Sequence, residues 1–128
     1  MKKFLIILLA IVVVLSGLYF FGTGFLERMD VLLYDYSVSE DGTKLTFSAG
    51  IMSSMGFIRG YKDNGGGVKP HYLTFYSTFG GLNSSFGAKS EFVLELNETD
   101  TEVYFKRAKG GYELVLQKNA ETGVWERP

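Results

Sequence analysis

Residues 4–21 form a run of eighteen without a charge, and its only polar members are Ser16 and Tyr19. No charge follows Lys3 until Glu27 and Arg28. A helix rises about 1.5 Å per residue, so the uncharged stretch 4–26 is long enough to cross a hydrocarbon core of roughly 30 Å. Inside lipid the backbone must satisfy its own hydrogen bonds, which makes the segment helical despite its Val and Ile content. Lys2 and Lys3 place the N-terminus in the cytoplasm by the positive-inside rule, and the chain from about residue 27 onward then lies outside.

A cleaved secretory signal is the competing reading. The apolar run exceeds the usual hydrophobic region of about 7 to 15 residues. The best small pair for a cleavage site is Gly22 and Gly24, and no Ala-x-Ala occurs. Residues 1–26 are therefore read as a transmembrane anchor or signal segment, with the anchor preferred, and residues 27–128 as an extracytoplasmic β domain. Val14-Leu15-Ser16-Gly17 resembles the stretch before the lipidated Cys of bacterial lipoproteins, but the next residue is Leu18, which has no thiol to acylate.

Beyond the run the periodicity changes to strict alternation, the mark of strands with one buried face. Leu45, Phe47, Ala49 and Ile51 alternate with Thr46, Ser48 and Gly50, and Leu32, Tyr34, Tyr36 and Val38 alternate with Leu33, Asp35 and Ser37. Asp41-Gly42 between these stretches suits a tight hairpin turn. Strands are also expected at residues 57–62 and 71–79. Phe92, Leu94 and Leu96, then Val103 and Phe105, then Tyr112, Leu114 and Leu116, and finally Val124-Trp125 read as a four-strand meander, because their links are short. Seven or eight strands and no amphipathic helix favour an all-β, antiparallel β-sandwich over a barrel. An immunoglobulin-like form stays open, although the Cys pair of that fold is absent and Trp125 comes too late to be its core Trp.

Composition narrows function. The chain of 128 residues has no Cys, one His and a formal charge of −1. Disulfides and thiolate chemistry are excluded. A dedicated nucleic-acid binder normally carries a clear basic excess, so no nucleic-acid partner is expected. One His, no Cys and scattered carboxylates assemble no catalytic set, so an enzyme is not expected. No cofactor is expected either.

The richest candidate for binding is the Gly-rich stretch 53–69, because long Gly-rich connections in compact β domains often bind ligands. Arg59 and Lys62 (with Lys69) suit an anionic group, Tyr61 suits stacking on a planar or sugar ring, and Asn64 lies at the loop. Tyr72 and Tyr76 lie on the outward parity of their strand and extend this set into an amphipathic patch. Asp63-Asn64-Gly65 is too short a match for a calcium loop, which needs six or more oxygens. The second Gly-rich stretch, 80–87, reads as a shaped turn. His71, beside Pro70, reads as solvent-facing or structural. Glu91, Glu95, Glu98, Asp100 and Glu102 read as a solvated acidic face that guards strand edges.

The expected function is a membrane-anchored binding or interaction module of the bacterial cell envelope. Its partners are lipid along residues 4–26 and an envelope protein or glycan at the loop patch. The alternatives are an accessory subunit recognised through its helix, and a secreted domain if the N-terminal segment is cleaved.

Overall fold

The computed structural model describes residues 1–52, 56–65, 70–80 and 85–128. The N-terminal apolar run forms one helix, α1 (Lys2–Thr23), and Thr23 is its one buried residue. It is long and apolar enough to cross a membrane. At 22 residues it spans about 33 Å. No side chain caps its N-terminus, and Gly24 closes its C-terminus through backbone bonds to Gly22 and Phe21.

Among the described residues nine strands follow: β1 (Glu27–Arg28), β2 (Val31–Val38), β3 (Lys44–Ile51), β4 (Ile58–Asp63), β5 (His71–Ser77), β6 (Glu91–Glu95), β7 (Glu102–Lys106), β8 (Tyr112–Lys118) and β9 (Trp125–Glu126). They divide into two sheets. The smaller has the order β2-β3-β6; the larger runs β1-β5-β7-β8-β9, with β4 also paired to β5. Along β5, β7 pairs with residues 71–73 and β1 with residues 75–76, while β4 pairs across residues 73–77.

Alternation placed the core where β3, β6 and β7 present it. Leu45, Phe47 and Ala49, Phe92 and Leu94, and Val103 and Phe105 are all buried. Rings from both sheets meet at Phe47, which lies 6.4 Å from Phe75 and 6.0 Å from Phe105, centroid to centroid. Phe75 and Phe105 touch edge to face at 4.7 Å. Such offset and edge geometries suit the ring quadrupole and add to the burial of the rings themselves.

Four expectations are corrected. Among the described residues the strands number nine, not seven or eight. The pairing is not wholly antiparallel, because β5 and β7 run parallel, His71 opposite Val103 and Leu73 opposite Phe105. The four-strand meander is a three-strand one, β7-β8-β9; β6 pairs instead with β3, Phe92 opposite Phe47. The short link 96–101 is therefore a corner between sheets rather than a hairpin turn. It is pinned by Leu96 N donating to Thr43 O and Lys118 N donating to Thr101 O. In β2, finally, the register shifts between Leu33 and Asp35. A bulge turns every later side chain to the opposite face. The inward set is thus Val31 and Leu33, then Tyr36 and Val38, while Tyr34 is exposed.

The two ends of the β body differ. Strands β1 and β4 begin, and β5 ends, beside the C-terminus of α1, where Ser77 N donates to Leu26 O and Ile58 lies opposite Ser77. The opposite end carries the turns at residues 39–43, 97–100 and 119–123. There Asp41 accepts from Ser39 Oγ, Thr43 N and Thr43 Oγ1. Gly42 adopts φ 73°, the left-handed conformation the Asp-Gly turn requires.

Candidate functional site

Where α1 meets the sheet, the chain builds an aromatic joint. Phe20 stacks on Phe79 at 6.0 Å and meets Phe86 edge-on at 5.3 Å; Phe21 meets Phe79 at 5.8 Å. Gly80 N donates to Phe20 O and to Thr23 Oγ1, and Thr23 Oγ1 donates to Phe20 O. Ser77 N donates to Leu26 O. These bonds join helix end and sheet directly, across a connection of only Gly24, Phe25 and Leu26.

Arg59 is central to the joint. Its guanidinium donates to Gly24 O and Ser77 O. It also lies 4.6 Å from the centroid of Phe79 and 5.8 Å from that of Phe25. A cation at a helix C-terminus is favourable, because the last carbonyls carry partial negative charge. Gly24 is required for close approach: a Cβ there would sit 2.3 Å from the Phe79 ring.

Beside this joint lies a cleft of about 390 Å³ lined by Phe25, Arg59, Gly60, Tyr61, Lys62 and Tyr76. It brings together four of the six residues expected from the sequence. The pairing of β4 with β5 explains the grouping: Tyr76 lies opposite Gly60, whose missing side chain leaves the space open. Tyr61 is only partly available. Its ring packs between Phe47, Phe75 and Phe92 at about 6 Å, and its hydroxyl donates to Val93 O. Burial, then the nearby Asp63 and Glu95 carboxylates, raise its pKa.

The other two expected residues lie elsewhere. Asn64 donates through its amide to Thr74 Oγ1, and its backbone N donates to Tyr72 O. Tyr72 joins Tyr104 and Tyr112 in a cluster across β5, β7 and β8, with centroids 5.1 and 4.8 Å from its own. Ser53, Gly66, Gly67 and Lys69 of the first Gly-rich stretch, and residues 81–84 of the second, lie outside the described residues.

His71 is not solvent-facing, and Asp100 does not belong to a solvated face; each is 4% exposed. His71 Nδ1 bonds to Asp63 Oδ2, and Nε2 lies 2.8 Å from Asp100 Oδ2. Asp100 Oδ2 also accepts from Asn97 N at 2.7 Å, and Asp63 Oδ1 accepts from Gly65 N and Tyr72 N. Burial lowers the pKa of His71, but the hydrogen bonds and charges of both carboxylates outweigh it, and the pKa is raised. A neutral imidazole has one N–H; only the imidazolium can donate to both carboxylates. With both nitrogens engaged, the group serves as a clamp between β4, β5 and the 96–101 corner. Among the described residues, no three His, Asp or Glu side chains are arranged to hold a metal ion.

Sequence reasoning missed Phe25, Phe79 and Phe86 as part of the joint. Phe25 sits just beyond the apolar run, but Phe79 and Phe86 lie far along the chain and no local pattern ties them to it. The chain matches no family model, no curated protein and no solved structure.

Proposed function

We propose that the protein is a membrane-anchored binding module, held by α1 with its N-terminus in the cytoplasm and its β body, a sandwich of the two sheets, outside. The observation that carries this is the gathering of Arg59, Tyr61, Lys62 and Tyr76 around one cleft at the end of an exposed apolar helix. Lys62 supplies a solvent-facing cation and Tyr76 a half-buried ring. That chemistry suits an anionic, ring-bearing group on an envelope protein or glycan. Arg59 and Tyr61 form the walls rather than the contacts, because their polar atoms are spent on backbone carbonyls.

Photo-crosslinking tests this in the full chain in its native membrane. A crosslinker at Tyr76 should give a discrete adduct that disappears with Lys62→Glu, while one at Glu121 should not. Equal labelling from both positions, or an adduct indifferent to Lys62→Glu, would remove the cleft from the proposal.

A further inference from the structure

Resting on the anchored reading above, we propose that the helix-proximal end of the β body is a second membrane-contacting surface. Phe25, Leu26, Phe57 and Phe86 seat it in the interfacial layer of the outer leaflet of the phospholipid bilayer.

The first support is the distribution of exposed apolar side chains. Phe25, Leu26, Phe57 and Phe86 are 69%, 49%, 41% and 63% exposed. They converge on one end of the body through independent routes. Phe25 and Leu26 follow α1 directly, Phe57 precedes β4, and Phe86 contacts Phe20 of the helix. Phe57 O accepts from Thr78 N, and the next residue, Phe79, donates through its backbone N to Phe86 O in an isolated antiparallel bridge. The opposite end is mainly polar and acidic at its turns, with Glu40, Asp41, Glu98 and Glu121 exposed beside the exposed Val124. A contiguous exposed apolar patch of this kind marks a contact surface, and a body resting on lipid supplies one.

The second support is length. The helix spans about 33 Å, close to the roughly 30 Å of a hydrocarbon core. Its last turn, Phe20–Phe21 onward, therefore falls at the membrane–water boundary. β1 begins at Glu27, three residues beyond Gly24, and the joint fixes the body to the helix by hydrogen bonds. The body thus has no slack with which to stand away from the surface. The surface is continuous with the apolar flank of α1, which singles out lipid as the occupant over a soluble partner. Arg59 lies over Phe25 and Lys89 beside Phe57, so long cationic side chains flank the surface as they do where they reach for headgroups.

Site-directed spin labelling of the full chain in phospholipid bilayers tests the assignment. The protein contains no Cys, so single Cys substitutions report only their own positions. Labels go at Leu9→Cys, Phe57→Cys, Phe86→Cys, Glu98→Cys and Glu121→Cys, with fluorescence of the buried Trp125 checking that each variant is folded. The ratio of accessibility to oxygen over a polar nickel complex is the readout. It should be severalfold higher at residues 57 and 86 than at 98 and 121, and highest at residue 9. If residue 9 lies in lipid while 57 and 86 match 98 and 121, the second contact surface is refuted and the anchor stands. If residue 9 itself behaves as water-exposed, the anchored reading fails, and the surface fails with it.

Discussion

Asp100 offers the sharpest test of what holds the β body together. Replacing it with Ala removes the acceptor of both His71 Nε2 and Asn97 N, at 2.8 and 2.7 Å. The ring left behind is 4% exposed, so water cannot easily replace the lost partner. Removing one member of a buried, hydrogen-bonded ion pair costs about 3–5 kcal/mol. Native proteins are stable by only about 5–15 kcal/mol. For a body of roughly 100 residues each kcal/mol moves the melting temperature by about 4 °C or more, so Asp100→Ala should lower it by at least about 12 °C.

The pH dependence follows from the same geometry. The folded pKa of His71 is raised above its ordinary value of about 6.5. Protonation therefore favours the folded state. The contribution is fully present below about pH 6.5 and is lost as pH rises through the folded pKa. Thermal unfolding of the full chain in detergent micelles, followed by Trp125 fluorescence, should show stability falling above pH 6.5. His71→Gln should abolish that fall. An Asp100→Ala protein that melts within about 3 °C of the parent, or a parent whose stability is flat above pH 6.5, would refute the clamp.

Two further outcomes are expected. Gly24→Ala forces a methyl group to 2.3 Å from the Phe79 ring, which Phe20, Phe21 and Arg59 hold in place, so it should cost about 1–3 kcal/mol and broaden the distance distribution between spin labels on α1 and β8. Asp41, whose pKa is lowered to about 2 by Ser39 and Thr43, should remain ionised in carboxyl-detected NMR until pH approaches that value; because its folded pKa is depressed, the turn 39–43 keeps that support above about pH 3.9 and loses it as pH falls towards 2.

Much of this structure was readable from local pattern. The apolar run 4–21 could only be a helix, and the alternation at 45–51, 92–96 and 103–105 put the right side chains inward. Each of these signals repeats within a few residues, so no distant partner is needed to interpret it. The bulge in β2 defeated the same rule, since one extra residue, Tyr34, reversed the faces after it and no local chemistry announced it. Four of the six candidate binding residues share a cleft because β4 and β5 are neighbours. Phe25 joined them only through the fold.

The tertiary structure decided what sequence separation hides. Which strands pair depends on how whole sheets close over shared rings, so the parallel match of β5 with β7 and the loss of β6 to the other sheet have no signature in either strand. His71 and Asp100 are 29 residues apart in the chain. Read along the chain, they are a lone imidazole and one of several surface carboxylates. Excluding water from both makes them an ion pair, because a buried charge is stable only beside its counter-charge.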